Sequence, residues 1–157
     1  PYVFMAAVVA TVIMEVLLRK SRWGWQLRAV GSNEESARKV GVKTTRSIMG
    51  AYVISSLFVF LGSVLLAVQL GIGDASQGVS YTLTSVTAVV LGGTSLMGGR
   101  GTYVGTLMGS VLLIQVLNAT VFLDLDQTWQ YWFQAMLILV AAVVYSLARS
   151  RRVKRKK

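Results

Sequence analysis

An all-α, polytopic transmembrane fold of about five spans is what the sequence predicts, and three observations predict it. Hydrophobic side chains make up 54% of the chain, and the mean hydropathy is +0.61. Charged residues account for only 14%, well below the quarter usual in soluble domains. The apolar residues also gather in long runs with the charges between them, a pattern that suits a bilayer and not a water-soluble core.

A helix needs roughly 20 apolar residues to cross the hydrocarbon layer, at about 1.5 Å per residue. Five runs come near that length: Val3 to Leu18, Ile48 to Leu70, Tyr81 to Met97, Thr102 to Asn118, and Trp129 to Leu147. The third and fourth are short, so they require local thinning or irregular ends. Together the runs describe part of one transmembrane domain over 1–157, with a loop at 19–46 and a basic tail at 148–157.

Charge orients these spans. Of the 16 Lys and Arg residues, eight fall within 19–46, one is Arg100, and seven follow Leu147. Five crossings put these three segments on one side and Asp74, Asp124 and Asp126 on the other, so the positive-inside rule makes the loop and the C-terminal tail cytoplasmic. A re-entrant third run would separate the tail from the 19–46 loop, against that bias. Trp23 and Trp25 inside, with Trp129, Tyr131 and Trp132 outside, fall where aromatic belts form. The net charge of +10 therefore reads as an orientation signal touching anionic membrane lipid, with no nucleic-acid partner.

The chain has no histidine and no cysteine. A Ser/His/Asp triad is excluded, no disulfide framework exists, and six carboxylates without those ligands speak against a transition-metal site. No catalytic residue, cofactor or metal is expected, and the chain is not expected to be an enzyme. It opens at Pro1 directly on an apolar run, without a start Met or the basic flank of a signal peptide, and so reads as a fragment or processed piece.

Gly31 to Gly41 reads as a short capped helix. Ser32 with Glu35 forms a capping-box pattern, Glu34 and Glu35 sit at the positive dipole end, Arg38 and Lys39 at the negative end, and Gly41 suits a left-handed stop. About eight residues are marginal as an isolated helix. Two uses stay open from the residues alone: a surface hairpin helix between spans, or a docking element whose small face, Ala37 with Val40, enters a groove on a cytoplasmic protein.

The second distinctive run is glycine-rich, Val89 to Thr102. It is not a phosphate loop, because Arg100 is followed by glycine and the Lys-Ser/Thr ending is missing. Gly101, Gly105 and Gly109 recur every four residues, which favours close helix packing on one face. Gly92, Gly93, Gly98 and Gly99 break the helix near the cytoplasmic surface, an arrangement that suits a moving gate if protein or water covers the backbone. Among polar residues in the spans, Glu15 pairs with Arg19 one turn on. Gln69, Thr84, Thr87, Gln115 and Asn118 are candidates to line a substrate pathway, with interhelical hydrogen bonding as their alternative use.

The run Ala29 to Arg38, followed by Gly41-Val42, resembles the cytoplasmic loop of ribose-type ABC sugar permeases, Gly-x-Asn-x-x-Ala-Ala-Arg-x-x-Gly-Ile. Ser36 replaces the first Ala and Val42 the Ile. The run Val90-Leu91-Gly92-Gly93-Thr94-Ser95-Leu96-Met97-Gly98-Gly99-Arg100-Gly101 is similar to that family's most recognisable segment, with Met97 at the variable position. With Gly105 to Gly109 and Leu117-Asn118, the resemblance extends from about Gly24 to Tyr145 and corresponds to a C-terminal half. It implies a monosaccharide importer of the bacterial inner membrane, in which the loop helix couples to a separate ABC ATPase subunit through Asn33, Glu34, Ala37, Arg38 and Gly41. It also implies a second permease subunit, identical or not, and an extracytoplasmic sugar-binding protein. The absence of acids deep in any span fits an uncharged sugar and speaks against a proton-coupled carrier. The alternatives are a permease for branched-chain amino acids or nucleosides, or a non-transporting membrane scaffold or remnant.

Overall fold

A computed structural model describes residues 2–154, with side chains over 2–147. The described residues form seven α-helices and no strand: α1 (Tyr2–Lys20), α2 (Arg22–Ser32), α3 (Glu34–Lys39), α4 (Thr44–Leu70), α5 (Gln77–Leu91), α6 (Tyr103–Phe122) and α7 (Gln127–Lys154). Four of them, α1, α4, α6 and residues 127–147 of α7, are long and apolar enough to cross a membrane. At about 1.5 Å per residue, α4 reaches about 40 Å, α6 about 30 Å and α5 only about 22 Å.

The third expected run departs most from its helix, because α5 begins at Gln77 and stops at Leu91 where 81–97 was expected. Gly93 is the reason. It takes a left-handed φ of +83°, its N–H donates to the Val90 carbonyl at 2.9 Å, and the Thr94 N–H donates to Val89 at 3.2 Å. That paired closure ends a helix outright. The same closure ends α6 on Asp124, the one non-glycine residue at positive φ among those described, with Asp124 N–H on Val121 and Leu125 N–H on Thr120.

The chain divides into two compact units. The first holds α1 to α4 together with the turn Met97–Arg100. Here α1 ends on Arg19 and Lys20 at its negative dipole end, and Glu15 is buried with its carboxylate on Arg19, as the one-turn spacing predicts. The segment 19–46, expected to hold one short helix, holds two. Ser21 starts α2 by accepting from the Gly24 N–H at 3.0 Å. Asn33 then ends α2 and starts α3: its N–H donates to Ala29 at 3.1 Å, and its side-chain oxygen accepts from the Ser36 N–H at 3.0 Å. The expected Ser32–Glu35 capping box is thus replaced by Asn33, since Ser32 still belongs to α2.

The dipole-matched charges of α3 are where the sequence predicts them, and Glu34–Arg38 (3.4 Å) and Glu35–Lys39 (2.9 Å) pair along its surface. These exposed pairs contribute only about 0.3–0.5 kcal/mol each. Gly41, at φ +86°, closes α3 with its N–H on Arg38 and the Val42 N–H on Ala37, both at 3.1 Å. The closure folds Val42 back onto Ala37, and with Val30 they form a buried cluster flanked by Ala29 and Ile48. The buried start of α4 carries Thr44 and Ser47. Beyond it α4 exposes Tyr52, Phe58, Phe60 and Leu65, a surface stable only in apolar surroundings.

In the second unit the end of α5 crosses α6 at glycine. A Cβ on Gly92 would lie 2.5 Å from the Gly105 carbonyl oxygen, and one on Gly109 would lie 2.7 Å from the Gly92 nitrogen. Close helix approach is therefore the use of Gly105 and Gly109. Gly101 does not share it, because α6 starts later, capped by Thr102 through its hydroxyl oxygen on the Gly105 N–H at 3.1 Å. Leu113 is the most buried large side chain. Thr87 and Thr120 are buried with their hydroxyls donating to Leu83 and Leu117 carbonyls at 2.8 and 2.7 Å. The basic tail falls beyond the described side chains, and Arg155 to Lys157, like Pro1, lie outside the described residues.

After α4, Asp74 organises the connecting turn. Its carboxylate accepts from the Ser76 N–H at 2.9 Å and from the Ser76 hydroxyl at 2.8 Å. The Ser76 N–H, then its hydroxyl, hold the Asp74 pKa below its ordinary 3.8. A lowered carboxylate stabilises the folded turn fully above the ordinary value and loses that contribution as pH falls through the lowered one. Protection of the Ser76 amide from hydrogen exchange should accordingly persist below pH 3.8, and Ser76→Ala should move the loss of protection to higher pH. Asn33→Ala should remove about 1 kcal/mol from α3, read as faster exchange of the Ser36 amide with the α4 amides unchanged.

Candidate functional site

The sequence-predicted coupling residues all lie on or at the ends of α3, but they do different things there. Asn33 and Gly41 act as its two caps. Ala37 is 5% exposed and faces inward onto Val30 and Val42, whereas Val40 is 76% exposed. The small face formed by Ala37 with Val40 is thus split, Ala37 anchoring the helix and Val40 pointing out. The outward surface is Glu34, Glu35, Arg38, Lys39 and Val40, all exposed. A six-residue helix has no stability of its own, so the Val30–Ala37–Val42 cluster and the shared Asn33 hold it against α2 and α4. What results is a short helix held by buried contacts and carrying paired charges on its exposed side.

The glycine-rich segment reaches the same place. Gly98 and Gly99 take φ of +83° and +76°, and the turn they make lies on the last residues of α2. A Cβ on Gly31 would sit 2.8 Å from the Gly99 nitrogen, one on Gly98 would sit 2.6 Å from the Gly31 carbonyl oxygen, and one on Gly99 would overlap the Ser32 hydroxyl. Backbone therefore meets backbone, one residue before Asn33. The sequence suggests helix packing or a gate at Gly98 and Gly99, not this partner; the paired small residues, Gly31-Ser32 and Gly98-Gly99, are the available signal.

Of the pathway candidates, Gln69 belongs to the first unit and the others to the second. Gln69, Gln115 and Asn118 are exposed on the surface of this chain, while Thr84 is half-buried and Thr87 buried within the second unit. Thr84 meets a residue the sequence reading passed over, Gln134, whose Nε2 donates to its hydroxyl oxygen at 3.3 Å. Because that hydroxyl donates to the Ser80 carbonyl at 3.0 Å, the amide must present nitrogen to it. The Gln134 oxygen is then a buried acceptor without a hydrogen bond, costing about 1–3 kcal/mol. The rule that singled out Gln69 and Gln115, a polar group inside an apolar run, applies equally to Gln134.

The described residues match known proteins over most of their length. The family described as the permease component of the branched-chain amino acid transport system matches residues 2–142. The chain is similar to the galactose/methyl galactoside import permease protein of Haemophilus influenzae, 28% identical over 96% of this chain and 45% of that protein. It is similar to the ribose import permease protein of Bacillus subtilis, 36% identical over 92% of this chain and 45% of that one. It is also similar to the xylose transport system permease protein of Escherichia coli, 31% identical over 84% of this chain and 34% of that protein. The chain spans less than half the length of these relatives, and no solved structure matches it. The apolar helices and these relatives together indicate a multi-pass protein of the inner membrane. With the family match running nearly end to end, the chain belongs to the family of permease components described for branched-chain amino acid transport, and within it resembles the sugar-import permeases.

Proposed function

We propose that this chain is part of the membrane permease subunit of an ABC importer that carries a monosaccharide across the bacterial cytoplasmic membrane. A separate ATPase subunit drives it, and the chain itself catalyses no reaction. The observation that carries the reading is α3, a helix too short to stand alone yet locked by a buried cluster and exposing an outward face of paired charges. The names of the three relatives, which specify galactose, ribose and xylose, weigh toward sugar over the branched-chain amino acids of the family's description. A second permease subunit and an extracytoplasmic binding protein complete the machine.

In this reading α3 is the coupling helix. Glu34, Glu35, Arg38, Lys39 and Val40 engage the ATPase, and Asn33, Ala37 and Gly41 hold them in position. Closure of the ATPase moves α3, and alternating access of the spans follows. Copurification of the intact permease with its ATPase subunit tests this. Arg38→Glu with Val40→Glu alters only outward side chains and should cut recovery of the ATPase about tenfold or more; equal recovery by wild type and variant would remove α3 from the interface.

The reading places α3, Arg100 and the tail in the cytoplasm, with Asp74, Asp124 and Asp126 outside. It requires α5 to cross despite its 15 residues, through local thinning aided by the irregular chain after Leu91. In a cysteine-free background, Gly73→Cys should react with a membrane-impermeant maleimide on intact cells. Glu35→Cys and Met97→Cys should react only after permeabilisation, and labelling of Met97→Cys from outside would make α5 a re-entrant segment.

A further inference from the structure

We infer that Gly31, Gly98 and Gly99 are positioning residues for coupling: the Gly98–Gly99 turn, seated on the backbone of Gly31 and Ser32, carries displacement of α3 to the chain that enters α6. The inference rests on the reading of α3 as the coupling helix and adds the route by which its motion leaves it.

Three observations carry it. First, α3 cannot move without the end of α2, because Asn33 alone separates the two helices and the Val30–Ala37–Val42 cluster clamps them together. A push on α3 is therefore a push on Gly31 and Ser32. Second, the turn meets Gly31 backbone to backbone, and Ser32 through its backbone and hydroxyl. The separations leave no room for a Cβ at Gly31 or Gly98, and closely packed atoms transmit a displacement where a flexible side chain would absorb it by changing rotamer. Third, the turn is tight and the path from it to α6 is short. Gly98 and Gly99 both hold left-handed backbone, and only Gly101 and Thr102 separate Arg100 from the first residue of α6, with Thr102 already bonded to that helix as its cap.

Compare this contact with the other glycines of the chain. Gly62, in the middle of α4, has nothing within 4 Å of a Cβ, so an alanine there disturbs no contact. Gly31 lies in the last turn of α2, where alanine favours helix more than glycine does. Gly31→Ala therefore keeps α2 and wedges the turn away from it, separating transmission from folding.

The test uses the intact permease with its ATPase subunit and sugar-binding protein reconstituted in vesicles, comparing wild type, Gly31→Ala and Gly62→Ala. Gly31→Ala should retain the ATPase subunit while sugar uptake per ATP hydrolysed falls about tenfold, within the usual range for coupling between sites; Gly62→Ala should match wild type. Uptake by Gly31→Ala within about twofold of wild type overturns the inference and leaves the coupling helix standing. Loss of the ATPase subunit from Gly31→Ala also overturns it, since the contact would then serve to build the docking helix. Should Gly31→Ala fail to fold in the membrane, hydrogen exchange of wild type decides. Binding of the ATPase should change protection of the Gly98 to Thr102 amides together with those of α3, and a change confined to α3 refutes transmission through the turn. If wild type itself binds no ATPase, the coupling-helix reading fails first.

Discussion

The backbone N–H of Asn33 reaches the Ala29 carbonyl while its side-chain oxygen holds the Ser36 N–H, so one extended residue closes α2 and opens α3. The arrangement of the first unit depends on this double cap. A helix of six residues has no nucleus of its own. Joining it to α2 through a single fixed residue removes most of the entropy that a flexible linker would retain. The Gly41 closure then brings Val42 back to Ala37, and burial of Val30, Ala37 and Val42 supplies the apolar contact that the capping geometry makes possible.

Glycine does two distinct jobs in this chain, and the bilayer accounts for one of them. Between α5 and α6, Gly92, Gly105 and Gly109 let backbones approach closely. Close packing of this kind holds helices together where lipid offers no hydrophobic drive for association. At Gly41, Gly93, Gly98 and Gly99 the requirement is conformational, since each holds left-handed backbone. Only Gly98 and Gly99 meet both demands at once, turning sharply while lying against another backbone.

The caps and the small buried cluster around α3 hold that helix in place without a large core. The long exposed apolar faces of α4 belong to surroundings that are themselves apolar. Gln134 differs from the other polar groups in the second unit: Thr84, Thr87 and Thr120 satisfy their hydroxyls within their own helices, whereas its amide reaches across to α5 and leaves an acceptor unmatched.

The sequence by itself determined the helical class, the approximate position of every long helix, the Glu15–Arg19 pair and the charge order of α3, because these follow from composition and from spacings of three or four residues. The resemblance carried by Ala29 to Val42 and Val90 to Gly101 led to the right family on the same local grounds. Helix ends were legible only in part: Gly41 announced its stop, whereas the two helices in 19–46, the cap on Asn33 in place of Ser32, and the end of α5 at Gly93 did not stand out among several competing cap and break signals. Tertiary structure alone decided that Ala37 faces inward, that Gly101 takes no part in the α6 face, that Gln134 meets Thr84, and that Gly98–Gly99 rests on Gly31–Ser32. Each of these joins residues far apart in the chain or selects one face of a helix by what packs against it, and neither choice is encoded in a local pattern.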